Sequence, residues 1–379
     1  MSISAQAASR SVLFALSLLL FCSCVSALAT ADSESGCTPS FPLKEGWQGG
    51  DAAYSIPLAD GRNVWIFGDT LYGKERVVHG TEPRMVHNSI GISTCRNGEF
   101  HIEYAIKQDA AGAPRDFFET ANKKTWYWPL AGFRHRNELW VTLLCLRATP
   151  ASDSPEAALG FETCGVDMAR VSGLNRDPQQ WKVEVLPFVA DGVKAYPSAA
   201  AAVDGKYAYI FTLYENGTRP AILTRIPLAG LRSPAKNLSY LAKDGTWQPG
   251  LAPEKALPVM ERGNSEMSVS YHAGRKEWIA VLNEPVMFSD RIILRTAKTL
   301  SGPWSEGKTI YTIPDMQKSA VAYDTDTFCY AAKEHPQFRN SDNILFTYVC
   351  NTLKPIKLVT NPYIYFPKVV RVPLPAAGF

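Results

Sequence analysis

Five strand pairs recur along this chain, and their repetition limits what it can fold into more than any other feature. The runs "VWIFGD", "LWVTLLCL", "YAYIFTLY", "EWIAVLNE" and "ILFTYVCN" are short, β-branched and aromatic, and Gly, Asn, Asp or Pro bound each of them. Each follows another strand-like run and a turn: "AYSIPL-ADGR", "WYWPLAGF-RHRNE", "SAAAAV-DGK", "MSVSYH-AGRK" and "FCYAAKEHPQF-RNSDN". The Asp-Gly and Ala-Gly turns suit hairpins, since glycine adopts the positive φ that tight turns need. The second strands start near residues 64, 139, 207, 278 and 344, a spacing of roughly 65–75 residues, and most intervals hold two further strand-like runs. No long segment carries a helical apolar stripe. The expected fold is all-β, a five-bladed β-propeller with blades of about four antiparallel strands around a central channel. "FPKVVRVPLP" has no hairpin partner of its own and is expected to complete a blade begun at the other end of the chain.

The N-terminus is expected to lie outside this fold. Arg10 precedes the apolar run "SVLFALSLLLFCSCVSALA", which has the length of a secretory core and ends in small residues. Residues 1 to about 31 read as a signal peptide, leaving 32–379 as one domain with no membrane span after cleavage. Phe21 and the Cys-Ser context fit a lipid anchor at Cys24 poorly. An exported chain with six remaining cysteines, Cys37, Cys95, Cys145, Cys164, Cys329 and Cys350, is expected to form disulfides. Spacing does not determine their connectivity. Cys329 and Cys350 lie on successive strands, Cys145 and Cys164 flank a polar loop, and Cys37 and Cys95 are left to pair.

Charge and motifs remove several classes of function. The net charge of +3 is small for 379 residues and no basic run occurs, so no nucleic-acid footprint is visible. Walker, G-x-G-x-x-G, H-E-x-x-H and G-x-S-x-G sequences are all missing. No cofactor is indicated and the six histidines are well spread; a structural channel ion such as calcium is left open. The chain is expected to be an extracellular or periplasmic monomer.

Propeller geometry gives the polar residues positions. The inner hairpin of a blade returns to the face from which it started, so Asp51, before the first strand, and Asp69, after the second, should meet at one mouth of the channel. His87 and Asn88 open the third strand from that face. The same construction brings Trp126 and Trp128 from the second blade, Tyr196 and Glu215 from the third, Glu266 and Arg291 from the fourth, and Asn351 from the fifth, with His335 near the hairpin end of that blade. Carboxylates and amides bond hydroxyls and aromatic faces stack on C–H surfaces, so the mouth suits a carbohydrate polymer or oligosaccharide.

The stretch "GGDAAYSIPLADGRNVWIFGDTLYG" followed by "MVHNSIGI" resembles secreted five-bladed propellers long grouped as domains of unknown function, some of which are endo-D-arabinanases. "SGPW" and "EHPQF" are similar to segments of the wider group of five-bladed arabinanases, xylosidases and fructosidases. The resemblance implies a glycoside hydrolase acting on arabinan-like or other furanoside-containing polysaccharide. It places a catalytic carboxylate at Asp51, with Asp69 beside it and Glu266 as partner. Hydrolysis needs one carboxyl that carries a proton and one that is ionised. Asp51 is expected as base or nucleophile, Glu266 as general acid and Asp69 as the neighbour that tunes them, the last two being interchangeable. The second and third blades begin with Trp126 and Tyr196 where the wider group carries acids. A propeller that binds glycans or proteins at the same mouth without cutting them is the alternative.

Overall fold

The computed structural model describes residues 37–76, 84–149, 160–321 and 323–376. The signal-peptide reading of residues 1–31 lies outside them. Among the described residues the chain is all-β with two short α-helices, and every strand pairing is antiparallel. Five of its sheets are built on the five hairpins. The first is Tyr54–Pro57, Asn63–Phe67, Ser89–Arg96 and Glu99–Ala105. The second is Thr125–His135, Glu138–Ala148, Phe161–Ser172 and Lys182–Val189. The third starts with Ala195–Asp204, Tyr207–Tyr214 and Ala221–Pro227 and continues into shorter strands. Ser268–His272, Glu277–Asn283, Arg291–Ala297 and Lys308–Thr312 make the fourth. Thr327–Glu334, Asn343–Thr352 and Lys368–Pro373 make the fifth.

The second strands of the hairpins start at Asn63, Glu138, Tyr207, Glu277 and Asn343, within one residue of the positions read from turn chemistry. These strands carry apolar side chains on both faces because both faces are covered. Asn63–Phe67 is buried throughout and so is Glu277–Asn283. Each sheet shares a core with its neighbour in sequence: Ile56 and Ile66 with Leu130 and Trp140, Leu139 and Val141 with Ala208 and Ile210, Phe211 and Leu223 with Ala280 and Leu282, Ile279 and Val281 with Ala332 and Phe346. The fifth sheet also meets the first. Trp65 and Phe67 share a core with Phe338 and Leu345, and the rings of Trp65 and Phe338 stack 5.8 Å apart.

One expectation is overturned. Lys368–Pro373, from "FPKVVRVPLP", pairs with Asn343–Thr352 and stays in the fifth sheet, in the register Asn343↔Pro373 to Tyr348↔Lys368. The first sheet takes all four of its strands from residues 54–105. Tyr348 explains the choice: its hydroxyl donates to Asp315 Oδ2 at 2.6 Å while Lys368 Nζ donates to Asp315 Oδ1 at 2.6 Å, which fixes the last strand beside its own sheet.

All six cysteines are paired, as Cys37–Cys95, Cys145–Cys164 and Cys329–Cys350. Cys329 and Cys350 face each other in register, and Cys145 and Cys164 join neighbouring strands at a bulge. Closing loops of 19 and 21 residues restricts the unfolded chain, a contribution of about 3 kcal/mol each. Among the described residues no helix is long and apolar enough to cross a membrane.

Candidate active site

The first hairpin brings its two outer aspartates together. Asp51 N–H donates to the Asp69 carbonyl at 3.3 Å, and Gly68 N–H donates to the Asp51 carbonyl at 3.2 Å. From Asp51 the chain turns into its strand through Ala52 and Ala53, both at positive φ (63° and 56°) and both buried. A left-handed alanine is disfavoured by contact of Cβ with the backbone, and here the turn aims the Ala52 carbonyl at the ammonium of Lys333, which donates to it. Glycine 68 serves a different need: a Cβ on it would lie 2.4 Å from Asp51 Oδ1, so no side chain fits while that carboxyl stays in place.

Around Asp51 the electrostatics are strained. Burial, and then the negative charges of Asp69 and Glu266, push its carboxyl well above the usual range; the Tyr330 hydrogen bond and the Lys333 charge pull the other way without balancing them. Tyr330 Oη–H donates to Asp51 Oδ2 at 2.5 Å and in turn accepts from Asn351 Nδ2 at 3.3 Å. Lys333 Nζ donates to Glu266 Oε1 at 3.0 Å and to the Ala331 carbonyl at 2.7 Å, and it lies 4.4 Å from the centre of the Tyr54 ring. With Ala52 these contacts use all three of its N–H groups. Burial lowers the Lys333 pKa against the pull of Glu266 and Asp51. Glu266 therefore faces Lys333.

Asp69 is held by two ring donors on one oxygen. Trp128 Nε1 lies 2.9 Å and His87 Nδ1 3.1 Å from Asp69 Oδ1. The His87 ring stacks on Trp126 at 4.8 Å, and its backbone N–H donates to Asp116 Oδ1 at 2.7 Å. Burial disfavours charge on His87, yet the hydrogen bond and charge of Asp69, with Asp116, outweigh it and raise the pKa. Asp51, Asp69, Glu266, His87, Trp128 and Asn351 thus come together. The Lys333 ammonium is a cation among these carboxylates; among the described residues no group of three or more His, Cys, Asp or Glu could hold a metal ion.

Five residues expected to contact sugar have partners within the protein. Asn88 is fully buried, its amide donating to the Phe118 and Tyr127 carbonyls at 3.1 and 2.9 Å while its oxygen accepts from Phe118 N–H at 2.7 Å. It ties the first sheet to the second and presents nothing to a ligand. Asn88→Ala is expected to destabilise the fold by about 2–3 kcal/mol, because three backbone groups lose their partner out of reach of water; denaturant unfolding measures it, and a change below 1 kcal/mol would contradict this role. His335 is buried against Trp65, with Ser55 Oγ at 2.7 Å from Nδ1 and Thr347 Oγ1 at 2.8 Å from Nε2. Burial and then the Lys333 charge depress its pKa to about 3, so it is a neutral packing residue. The Tyr196 hydroxyl accepts from Thr163 Oγ1 at 2.7 Å, which fastens it to the second sheet. Glu215 pairs with Arg219 and Arg291 with Glu284, each within its own loop.

Lys333, Tyr330, Tyr54 and Asp116 were not expected at the site. A β-bulge between Tyr330 and Lys333, with Ala331 at φ 62°, breaks the alternation of "TFCYAAKE" and sends Tyr330 and Lys333 towards the first hairpin together. The available signal is the lysine itself, since a lysine inside an apolar strand is buried only with partners. A separate cavity of about 760 Å³ between the third and fourth sheets, lined by residues that include Glu284, Arg295 and Trp304, contains none of the three carboxylates.

Sheets and site together define an all-β chain with a partly buried carboxylate cluster where its first and last sheets meet. The chain belongs to the family described as "Domain of unknown function (DUF5005)", whose match spans residues 40–373. Its fold is similar to that of a candidate hydrolase from Bacteroides ovatus, with 16% identity over 87% of this chain and 86% of that one and a TM-score of 0.67. A GH43_1 enzyme from Xanthomonas citri complexed with xylotriose aligns at 12% identity over 92% and 94% of the two chains, TM-score 0.49. A xylan β-1,4-xylosidase from Bacillus halodurans aligns at 8% identity, TM-score 0.48, over 84% of this chain and 51% of that one, so the chain spans about half its length. No curated protein matches the chain.

Proposed function

We propose that this protein is an exported glycoside hydrolase whose five sheets are the blades of a five-bladed propeller, with the Asp51 cluster at one mouth of its channel. The convergence of Asp51, Asp69 and Glu266, with the Asp51 carboxyl pushed well above its usual range, carries this reading. Glycoside hydrolysis uses two carboxyls whose surroundings drive their protonation apart. Asp51 is the group best suited to carry a proton into the reaction. Glu266 is committed to the Lys333 ammonium at 3.0 Å, so the general-acid role expected of it passes to Asp51. Asp69, oriented by Trp128 and His87, takes the part of base or nucleophile. The resemblance of the first hairpin to endo-D-arabinanases favours arabinan-like, furanoside-containing polymers. The leader-like residues 1–31 and three disulfides favour export into an oxidising compartment.

The test is a screen of the purified protein against arabinan, xylan and galactan for released sugar. Release from arabinan that Asp51→Asn lowers by orders of magnitude is expected. No release from any polymer, or release indifferent to that substitution, refutes the proposal; binding without release would favour a glycan-binding protein. Gly68→Ala supplies a geometric check. Its Cβ would displace the Asp51 carboxyl, and a misplacement of about 1 Å is expected to lower turnover on the order of 10²-fold. Unaltered turnover in Gly68→Ala would separate Asp51 from the chemistry.

A further inference from the structure

An aromatic path leads from solvent to Asp51. Phe288 is 53% exposed and its neighbour Met287 84% exposed, on the loop between the second and third strands of the fourth sheet. The Phe288 ring lies 5.6 Å from that of Phe328, which stacks 5.6 Å from Tyr330 at an interplanar angle of 27°. Tyr330 donates to Asp51. Three rings therefore form an unbroken series whose outer end is wet and whose inner end touches the carboxyl assigned to the chemistry.

The display of Phe288 is constructed. Its φ of 57° is an outlier for a bulky residue, and burial of the ring does not compensate for it. The Glu284 carboxylate pins the loop, accepting from Ser289 Oγ at 2.6 Å and pairing with Arg291 at 2.8 Å. Val286 N–H donates to the Glu284 carbonyl at 2.7 Å and Ser289 N–H to the Val286 carbonyl at 3.1 Å. Arg291 thereby staples the loop that presents Phe288.

We infer that Phe288, Phe328 and Tyr330 form a stacking path for the units of a glycan chain beyond the one at Asp51, so that the protein holds polymers in preference to short sugars. An aromatic face covers the C–H face of a sugar while its hydroxyls stay hydrated, and rings in series engage successive units of one chain. The path's continuity with Asp51 names the substrate itself as its occupant. The inference rests on the glycan-cleaving reading, but its test does not use turnover.

In protein carrying Asp51→Asn, affinities for arabino-oligosaccharides of increasing length are measured by calorimetry. Affinity is expected to rise with length. Phe288→Gly, which removes the ring and relieves the backbone, should weaken binding of the long members about tenfold while the shortest is less affected, and Phe288→Tyr should restore it. The same length dependence with and without the Phe288 ring overturns the inference, as does failure of the Asp51→Asn protein to bind any length. Sedimentation velocity covers another occupant: a dimer that Phe288→Gly dissociates would assign the ridge to a second copy of the chain and overturn it too. Loss of sugar release alone bears on the hydrolase reading, whereas these affinities bear on the path.

Discussion

Replacing Asp51 with asparagine is expected to lower sugar release by about 10²–10⁴-fold, the range that a positioned acid or base contributes, while glycan still binds. In the unsubstituted protein, activity should fall as pH rises through the elevated Asp51 pKa, because a general acid works only while it holds its proton. The same group has a stability signature of opposite use. A carboxyl raised on folding contributes stability below its unfolded pKa near 4 and loses it as pH rises through the folded value. Asparagine cannot ionise, so Asp51→Asn should melt higher than the parent at neutral pH, and the difference should vanish towards about pH 4. Thermal unfolding across that range measures it. A difference that ignores pH would mean that Asp51 is not held above its usual range.

Lys333→Met should be the most destabilising single change near the site. The Lys333 side chain is 1% exposed and that of Glu266 13%, and removal of one partner of such a pair leaves the other charge buried without compensation, at about 3–5 kcal/mol. Denaturant unfolding should show this loss, and adding Glu266→Gln should recover most of it, since a neutral amide no longer needs a cation. Equal stability of the single and double variants would refute the pairing. The ammonium also restrains Asp51: without it the Asp51 carboxyl moves further up, and the high-pH limb of activity should move with it.

Local chemistry made the hairpins legible. Asp-Gly and Ala-Gly turns between apolar runs specify strand pairing with no knowledge of the rest of the chain, which is why Asn63, Glu138, Tyr207, Glu277 and Asn343 could be placed closely. Pairing alone also brings Asp51 to Asp69. What a polar residue faces is decided by other sheets, and there the sequence is a weaker guide. Asn88 and His335 sit near strand ends as functional residues do, yet each points into a seam and spends its hydrogen bonds on the fold. Lys333 was hidden by a bulge that shifts the face of every residue after it. The neighbour of the last strand is not legible locally, because it depends on Asp315, a residue outside both strands.

The two halves of the carboxylate cluster are far apart along the chain: 279 residues separate Tyr330 from Asp51, and 281 separate Lys333 from Ala52. On a ribosome the first hairpin emerges long before the strand that completes its surroundings. Until then Asp51 has neither its hydroxyl donor nor a nearby cation, and solvent has free access to it. The surroundings of Asp51 are therefore complete only once the fifth sheet has joined the first, and a chain truncated before residue 327 would keep the two aspartates of its first hairpin without Tyr330 or Lys333 beside them.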